Sequence, residues 1–318
     1  MRIVALAVLA LSLIAAAPPH RNVQAGLRFV DLTGDFDRIW KATESLPDDQ
    51  RVEAFESQFG KVLPGFYSAA RVKDYKTPEQ YRAWLLAGLK AYPAKREDIL
   101  RTSSQFQTLV APAKQQFESV FGPMRGYPPI YLVNSFGEFD GGTRDLPEGN
   151  RLMFGADVIA RMYTGKPIKP FIEHELFHLM HHRHFPECDP VWCNLWEEGL
   201  ATYVASTLNP SADDFALGLT SPSPLRPAVE GHRQEAICAV RARLNSSDPK
   251  VYAPLFMGGG APLSENLPRR FGYYVGLLVI QDAAKTHSLK QLAALSPAEA
   301  HVLVESTLDH LAKCPSAV

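Results

Sequence analysis

Residues 171–178 read Phe-Ile-Glu-His-Glu-Leu-Phe-His, with two histidines four positions apart and a glutamate directly after the first. Pro170 precedes the stretch, and proline is common in the first turn of a helix. Residues four apart on a helix lie on the same face, so the imidazoles of His174 and His178 can reach one metal ion while Glu175 projects beside it. Neutral imidazoles suit Zn²⁺, which binds nitrogen at about 2.0–2.1 Å and often takes three protein ligands. The stretch therefore predicts a site for one Zn²⁺ that still needs a third ligand.

A carboxylate on the next helix is our first choice for that ligand. Glu198 follows His178 after 19 intervening residues, in the segment Asn-Leu-Trp-Glu-Glu-Gly-Leu-Ala-Thr-Tyr that begins at Asn194. If Asn194 caps this helix, Glu197 occupies the third helical position and its carboxylate can accept from the amide of the cap. Glu198 then shares a face with small side chains, which would let the helix approach the two histidines closely. We therefore predict Glu198 as the third ligand and hold Glu197 in reserve.

His184 is the alternative third ligand. It stands at the distance of the last histidine in the metzincin pattern H-E-x-x-H-x-x-G-x-x-H, but His181 occupies the place of the glycine that lets that helix turn. We expect His181 and His182 to lie at a solvated helix end or to line the rim of a cleft.

The combination of H-E-x-x-H with Trp-Glu-Glu-Gly-Leu-Ala at residues 196–201 resembles the gluzincin branch of zinc metallopeptidases. The sequence is most similar to a family of bacterial predicted zinc-dependent proteases known as a domain of unknown function, over residues 130–285. That resemblance includes the later segment 268–276, and it implies that Tyr273 or Tyr274 donates a hydrogen bond to the oxyanion, with Tyr273 preferred. Arg270 and His232 are weaker candidates for the same role.

The resemblance implies a hydrolase that cleaves peptide bonds. Zinc on His174, His178 and Glu198 would lower the pKa of a bound water, and Glu175 would act as general base. The expected partner is a peptide or protein substrate, which would add to a strand edge at 151–154. A non-catalytic module of the same zincin fold that binds peptides or a partner remains the second reading.

The order of structural elements predicts an α+β chain that is mostly helical. Helical periodicity extends from about residue 35 to 122, with a capping box at 77–80 and a break expected at Pro112. Residues 130–133 and 151–154 predict strands, and helices are expected at 170–183, 194–207, 227–244, 268–286 and 297–312. A second capping box, at 296–299, precedes the last of these helices. We therefore expect a helical region at 26–125 and a zincin-like metallopeptidase domain with a small sheet at 126–318.

The amino terminus predicts export. An apolar run from Ile3 to Ala17 follows a single charge and precedes two prolines, which is typical of a signal peptide, and 15 residues are few for a membrane span. We expect cleavage between residues 17 and 25, release to the periplasm or the medium, and no stable membrane insertion afterwards.

Composition and cysteine content agree with an exported globular protein. The 318 residues are 46% apolar, with 33 basic and 34 acidic side chains, so collagen-like and disordered classes are excluded and nucleic-acid binding by charge neutralisation is disfavoured. Four cysteines can pair in three ways. We favour Cys188 with Cys193, because Pro190 can bend the loop between them, and therefore Cys238 with Cys314.

Overall fold

The computed structural model describes residues 26–163, 165–186 and 188–315, so the predicted signal peptide lies outside the described residues. The described chain is α+β and mostly helical, as the sequence predicts. A four-stranded mixed sheet is formed by β1 (Phe29–Asp31), β2 (Ile130–Val133), β3 (Gly141–Leu146) and β4 (Gly149–Gly155).

The sheet has the order β1-β2-β4-β3. β1, β2 and β4 are parallel, with Tyr131 opposite Met153, whereas β3 runs antiparallel to β4 with Thr143 opposite Leu152. β2 coincides with the predicted strand at 130–133. β1 and β3 are therefore the two edge strands of the sheet.

The described part of the chain contains thirteen α-helices. They are α1 (Thr33–Thr43), α2 (Asp48–Phe59), α3 (Pro78–Ala91), α4 (Arg96–Phe121), α5 (Ala156–Met162), α6 (Lys169–His181), α7 (Val191–Leu208), α8 (Leu225–Gly231), α9 (Arg233–Arg241), α10 (Pro249–Tyr252), α11 (Phe271–Ala283), α12 (Leu289–Ala293) and α13 (Pro297–Leu311). A 3₁₀ turn (Tyr92–Ala94) precedes α4, and a π-helical turn (Ala253–Met257) follows α10.

Local signals account for several helix starts. Thr77 and Ser296 form the predicted capping boxes of α3 and α13, each accepting from the backbone N–H three residues later. Pro112, in contrast, does not end a helix but lies within α4, where Phe106 and Phe117 are fully buried. Burial of the apolar face of α4 outweighs the hydrogen bond that the proline removes.

Three predicted helix boundaries are wrong. The helix expected at 227–244 is two helices, α8 and α9, separated at His232, whose backbone leaves the helical region with φ −131°. The helix expected from 268 starts at Phe271, because Arg270 adopts a left-handed conformation. The helix expected from 194 starts earlier, at Val191, so the predicted capping role of Asn194 is also wrong.

The two regions expected at 26–125 and 126–318 share a sheet and a core. Phe29 of β1 pairs in register with Ile130 of β2, and one cluster of buried side chains runs from Leu27 to Leu308. Phe136, with φ 52°, inserts its ring so close to α3 that a side chain at Gly88 would overlap it. The loop that leads to β3 is thereby attached to the amino-terminal helices.

Both predicted disulfides are confirmed. Cys188 pairs with Cys193 just before and within the start of α7, and Cys238 of α9 pairs with Cys314 after α13. Among the described helices, none combines the length and apolarity needed to cross a membrane.

Candidate metal centre

His174 and His178 lie one turn apart on α6, as their spacing predicts. Apolar side chains on the opposite face, among them Ile172 and Leu176, are buried in the core and fix the orientation of the helix. The Nε2 atoms of the two histidines are 3.1 Å apart. Two nitrogen donors of one helix therefore point to the same place.

Glu198 of α7 supplies the third converging atom. Its Oε2 lies 3.3 Å from Nε2 of His174 and 3.5 Å from Nε2 of His178. Ligands placed tetrahedrally at about 2.0–2.1 Å from a zinc ion would lie about 3.3–3.4 Å from each other. The spacing and the donor types of His174, His178 and Glu198 therefore fit a Zn²⁺ ion, and among the described residues these three are the group suited to hold a metal.

The charges of the triad side chains shift one another's pKa values. Burial disfavours the charged form of His178, but the carboxylates of Glu198 and Glu175 outweigh it and raise the pKa of His178 to about 9. Burial would likewise raise the pKa of Glu198, yet the charge on His178 and hydrogen bonds from both histidines hold it well below its usual range. The carboxylates therefore favour positive charge at the position where the two histidines and Glu198 converge.

Glu175 lies beside the triad and is almost fully buried. Burial raises its pKa, although the neighbouring histidines oppose the shift. Its carboxyl group packs against Gly141 at the start of β3, where a Cβ would come within 3.1 Å of the carboxyl carbon and of Oε1. Strand β3 can approach α6 this closely because position 141 has no side chain.

Glu197 does not join the triad. Because α7 begins at Val191, Glu197 lies well inside the helix instead of in its first turn, and its Oε1 is 3.2 Å from Nε2 of His182. The predicted capping role of Glu197 is therefore wrong, and its carboxylate faces His182.

His181 and His184 lie apart from the three converging side chains. His181 is fully buried, with its ring stacked between Phe177 and Phe185, so the prediction of a solvated or rim position is wrong for this residue. Nε2 of His184 donates to the carbonyl oxygen of Ala293 at 2.7 Å. The amphipathic pattern of α6 places His181 on the same side as its buried apolar residues, and this pattern could have predicted the burial of His181.

Tyr273 and Tyr274 have different environments although they are adjacent. Tyr273 lines the same cleft as the triad, and burial together with the charge on Glu198 raises its pKa well above the ordinary value of a tyrosine. The hydroxyl of Tyr274 instead donates to Glu230 at 2.7 Å, away from the cleft lining. The structure thus brings Tyr273, and not Tyr274, into the cleft that the triad lines, and its raised pKa keeps the hydroxyl protonated.

Of the two weaker candidates, Arg270 lines the cleft and His232 does not. The guanidinium of Arg270 lies over the ring of Tyr273, 4.6 Å from its centroid. His232 lies outside, with Nδ1 3.5 Å from a carboxylate oxygen of Glu235.

One cleft of about 1230 Å³ is lined by the triad and by Glu175, Tyr273 and Arg270. One wall is the start of β3, and another is apolar, formed by side chains that include Phe215, Tyr252 and Phe256.

The strand predicted at 151–154 is real, but it belongs to β4, which is interior to the sheet, so its predicted role as the exposed edge is wrong. The edge is β3, whose sequence Gly-Gly-Thr-Arg-Asp-Leu lacks apolar alternation and reads as a turn.

Other proteins offer no guide to the role of this cleft. Compared with protein-family models, with curated proteins and with solved structures, the chain finds no match.

Proposed function

We propose that this protein is an exported zinc-dependent metallopeptidase of the gluzincin type, with a zincin-like catalytic domain. The observation that carries the proposal is the convergence of Nε2 of His174, Nε2 of His178 and Oε2 of Glu198 beside the buried carboxyl of Glu175. A structural zinc site has no use for a general base, whereas peptide hydrolysis needs one.

When bound, a zinc ion supplies Lewis acidity, which polarises a carbonyl oxygen and lowers the pKa of a water molecule. The residues of the chain supply the remaining chemistry. Glu175 takes the proton from the attacking water and delivers it to the leaving amine, a role favoured by its raised pKa. Tyr273 keeps its proton and donates to the developing oxyanion.

Strand β3 supports a peptide as substrate. Its outer edge borders the cleft at residues 141–144, and an extended peptide can add to such an edge through backbone hydrogen bonds. The close contact between Gly141 and Glu175 brings that edge next to the general base. The apolar wall of the cleft would accept apolar side chains of the peptide.

The two disulfides support folding in an oxidising compartment, and hence export. The proposal does not include nucleic acid as a partner, since the acidic and basic residues of the chain are balanced.

The test compares the mature protein with Glu175→Gln. We expect one zinc per chain in both, hydrolysis of casein or of a peptide library by the wild type, and a loss of at least about 100-fold in the variant. Absence of zinc from the wild type, or equal cleavage by both proteins, would refute the proposal. Zinc binding with stable capture of uncut peptide would instead establish the non-catalytic reading.

A further inference from the structure

The backbone of Arg270, in the lining of the cleft, has a conformation that is unfavourable for arginine. Its backbone is left-handed, with φ 66° and ψ 10°, a conformation that glycine adopts freely and arginine does not. The backbone N–H of Arg270 donates to Pro254 at 2.8 Å, and its carbonyl accepts from Tyr273 at 3.1 Å, so this conformation is locked. Arg270 also precedes the first turn of α11, where the helix dipole repels a cation.

The guanidinium of Arg270 lacks a carboxylate partner within the described ranges. One nitrogen, Nη1, donates to the carbonyl oxygen of Ser221 at 3.3 Å, and the group stacks on Tyr273 and hydrogen-bonds to that side chain, but no salt bridge forms. Tyr273, Asp140 and Glu198 together outweigh the effect of burial and raise the pKa of Arg270, so the guanidinium keeps its charge although neither carboxylate forms a salt bridge with it. A partly buried cation of this kind is stabilised when an anion binds it.

The other arginines that line the cleft differ in this respect. Arg144 of β3 already has Glu138 at 3.7 Å, stacks on Phe139 at 4.0 Å and donates to a carbonyl oxygen. Arg161 is exposed at the rim, where water stabilises its charge. Among the described arginines of the cleft lining, Arg270 is therefore the one that is neither paired with a carboxylate in a salt bridge nor exposed to water.

From this geometry, and resting on the proposed peptidase function, we infer that Arg270 binds a carboxylate of the peptide substrate. Guanidinium groups bind carboxylates through two parallel hydrogen bonds, and the adjacent amino terminus of α11 also favours negative charge. The carboxylate is either the free carboxyl terminus of the peptide or an acidic side chain near the cleaved bond. Arg270 is thus a specificity-determining residue, and the protein prefers anionic peptides.

The test measures binding and cleavage separately. The probes are N-acetylated hexapeptide mixtures, one pair with a free or an amidated carboxyl terminus and one pair with internal Glu or Gln. Binding is measured on zinc-loaded Glu175→Gln protein, in which bound peptides are not cleaved, and cleavage on the wild type. We expect at least one acidic member to bind about tenfold or more tightly than its neutral counterpart, and the pair that discriminates identifies the source of the carboxylate.

Variants at position 270 then attribute this preference. Arg270→Gly suits the left-handed backbone, so we expect an unchanged or higher melting temperature together with loss of the preference for acidic peptides. Arg270→Lys keeps the charge and should retain part of the preference. Arg269→Gln is the matched control, because Arg269 is adjacent and half-buried like Arg270, donates to the carbonyl oxygen of Gly260 and lies outside the cleft lining.

Two results would overturn the inference: equal binding of acidic and neutral peptides by the wild type, or a preference that Arg270→Gly retains. Both are distinct from failure of the proposed function, in which the zinc-loaded protein neither binds nor cleaves any of the peptides.

Discussion

Five histidines lie between residues 174 and 184, and their neighbours give them different properties. The first two face the carboxylate of Glu198, whereas His181 has its ring between Phe177 and Phe185, at centroid distances of 5.0 and 4.5 Å. Side chains of one chemical type thus serve as candidate ligands or as core residues according to the face of α6 that they occupy.

The ligand set can be tested at single residues. We expect Glu198→Ala to weaken zinc binding by more than about 100-fold, because it removes one of the three converging atoms. Substitution of a residue that only hydrogen-bonds to a metal ligand weakens metal binding by about 10- to 100-fold. His184→Ala should keep zinc affinity close to wild type, since Nε2 of His184 is engaged with Ala293. Competition with a chelating dye measures both constants, and the reverse order would identify His184 as the ligand.

His181 predicts a pH dependence of stability. Burial, followed by repulsion from His184, His178 and His182, lowers its pKa to about 3. An exposed histidine in the unfolded chain has a pKa of about 6.5, so the unfolded state binds more protons between these values. The free energy of unfolding therefore falls as pH is lowered from about 6.5 toward 3, by up to about 1.4 kcal/mol per pH unit.

His181→Phe isolates this effect. Phenylalanine can preserve the stack and removes two ring nitrogens that have no hydrogen-bond partner among the described residues. Denaturant unfolding at pH 7.5 and pH 5 should show a loss of stability that is smaller in the variant by about 1–2 kcal/mol. Equal losses in the two proteins would contradict the assigned role of burial.

At the scale of elements, the contact between α7 and α11 positions two side chains of the cleft lining, those of Glu198 and Tyr273. Gly199 and Gly276 face each other, and a Cβ at Gly199 would come within 2.5 Å of the backbone of Gly276. Glu198 neighbours the first glycine, and Tyr273 lies one turn before the second. Close backbone approach of the two helices therefore sets the distance between Glu198, the candidate ligand, and Tyr273.

Gly199→Ala should force the helices apart. We expect a loss of about 1–3 kcal/mol in the free energy of unfolding, from overpacking against backbone, and weaker zinc binding because Glu198 moves with α7. Gly231→Ala is the control, since nothing lies within 4 Å of a Cβ there, and it should change stability by less than about 0.5 kcal/mol. Unaltered stability and zinc affinity in Gly199→Ala would show that the contact has no such role.

For the whole molecule, the two disulfides constrain very different lengths of chain. Cys238 and Cys314 are 76 residues apart and connect α9 to the segment after α13, whereas Cys188 and Cys193 are 5 apart. A cross-link stabilises mainly by restricting the unfolded chain, so the longer loop contributes more.

Paired serine substitutions test this difference. We expect Cys238→Ser with Cys314→Ser to lower the free energy of unfolding by up to about 4–5 kcal/mol, and Cys188→Ser with Cys193→Ser by up to about 2 kcal/mol. Denaturant titrations of both variants against wild type provide the values. A larger loss for the short loop would mean that its contribution comes from ordering the start of α7.

The sequence by itself determined the local features of this protein. The capping boxes at Thr77 and Ser296, the strand at 130–133 and the common face of His174 and His178 were predictable, because each depends on residues within one or two helical turns or on a short β-branched segment. The disulfide pairing was predictable from a short loop and elimination of the remaining choices.

Only the tertiary structure decided the features that depend on distant contacts. β3 became the sheet edge through its pairing with β4, which its glycine-rich sequence did not indicate. Arg270 took a left-handed conformation because Pro254 binds its backbone, and His181 entered the core because two aromatic rings enclose it. Local sequence sets which conformations a segment prefers, whereas long-range packing and hydrogen bonding select among them, often at the expense of a local preference.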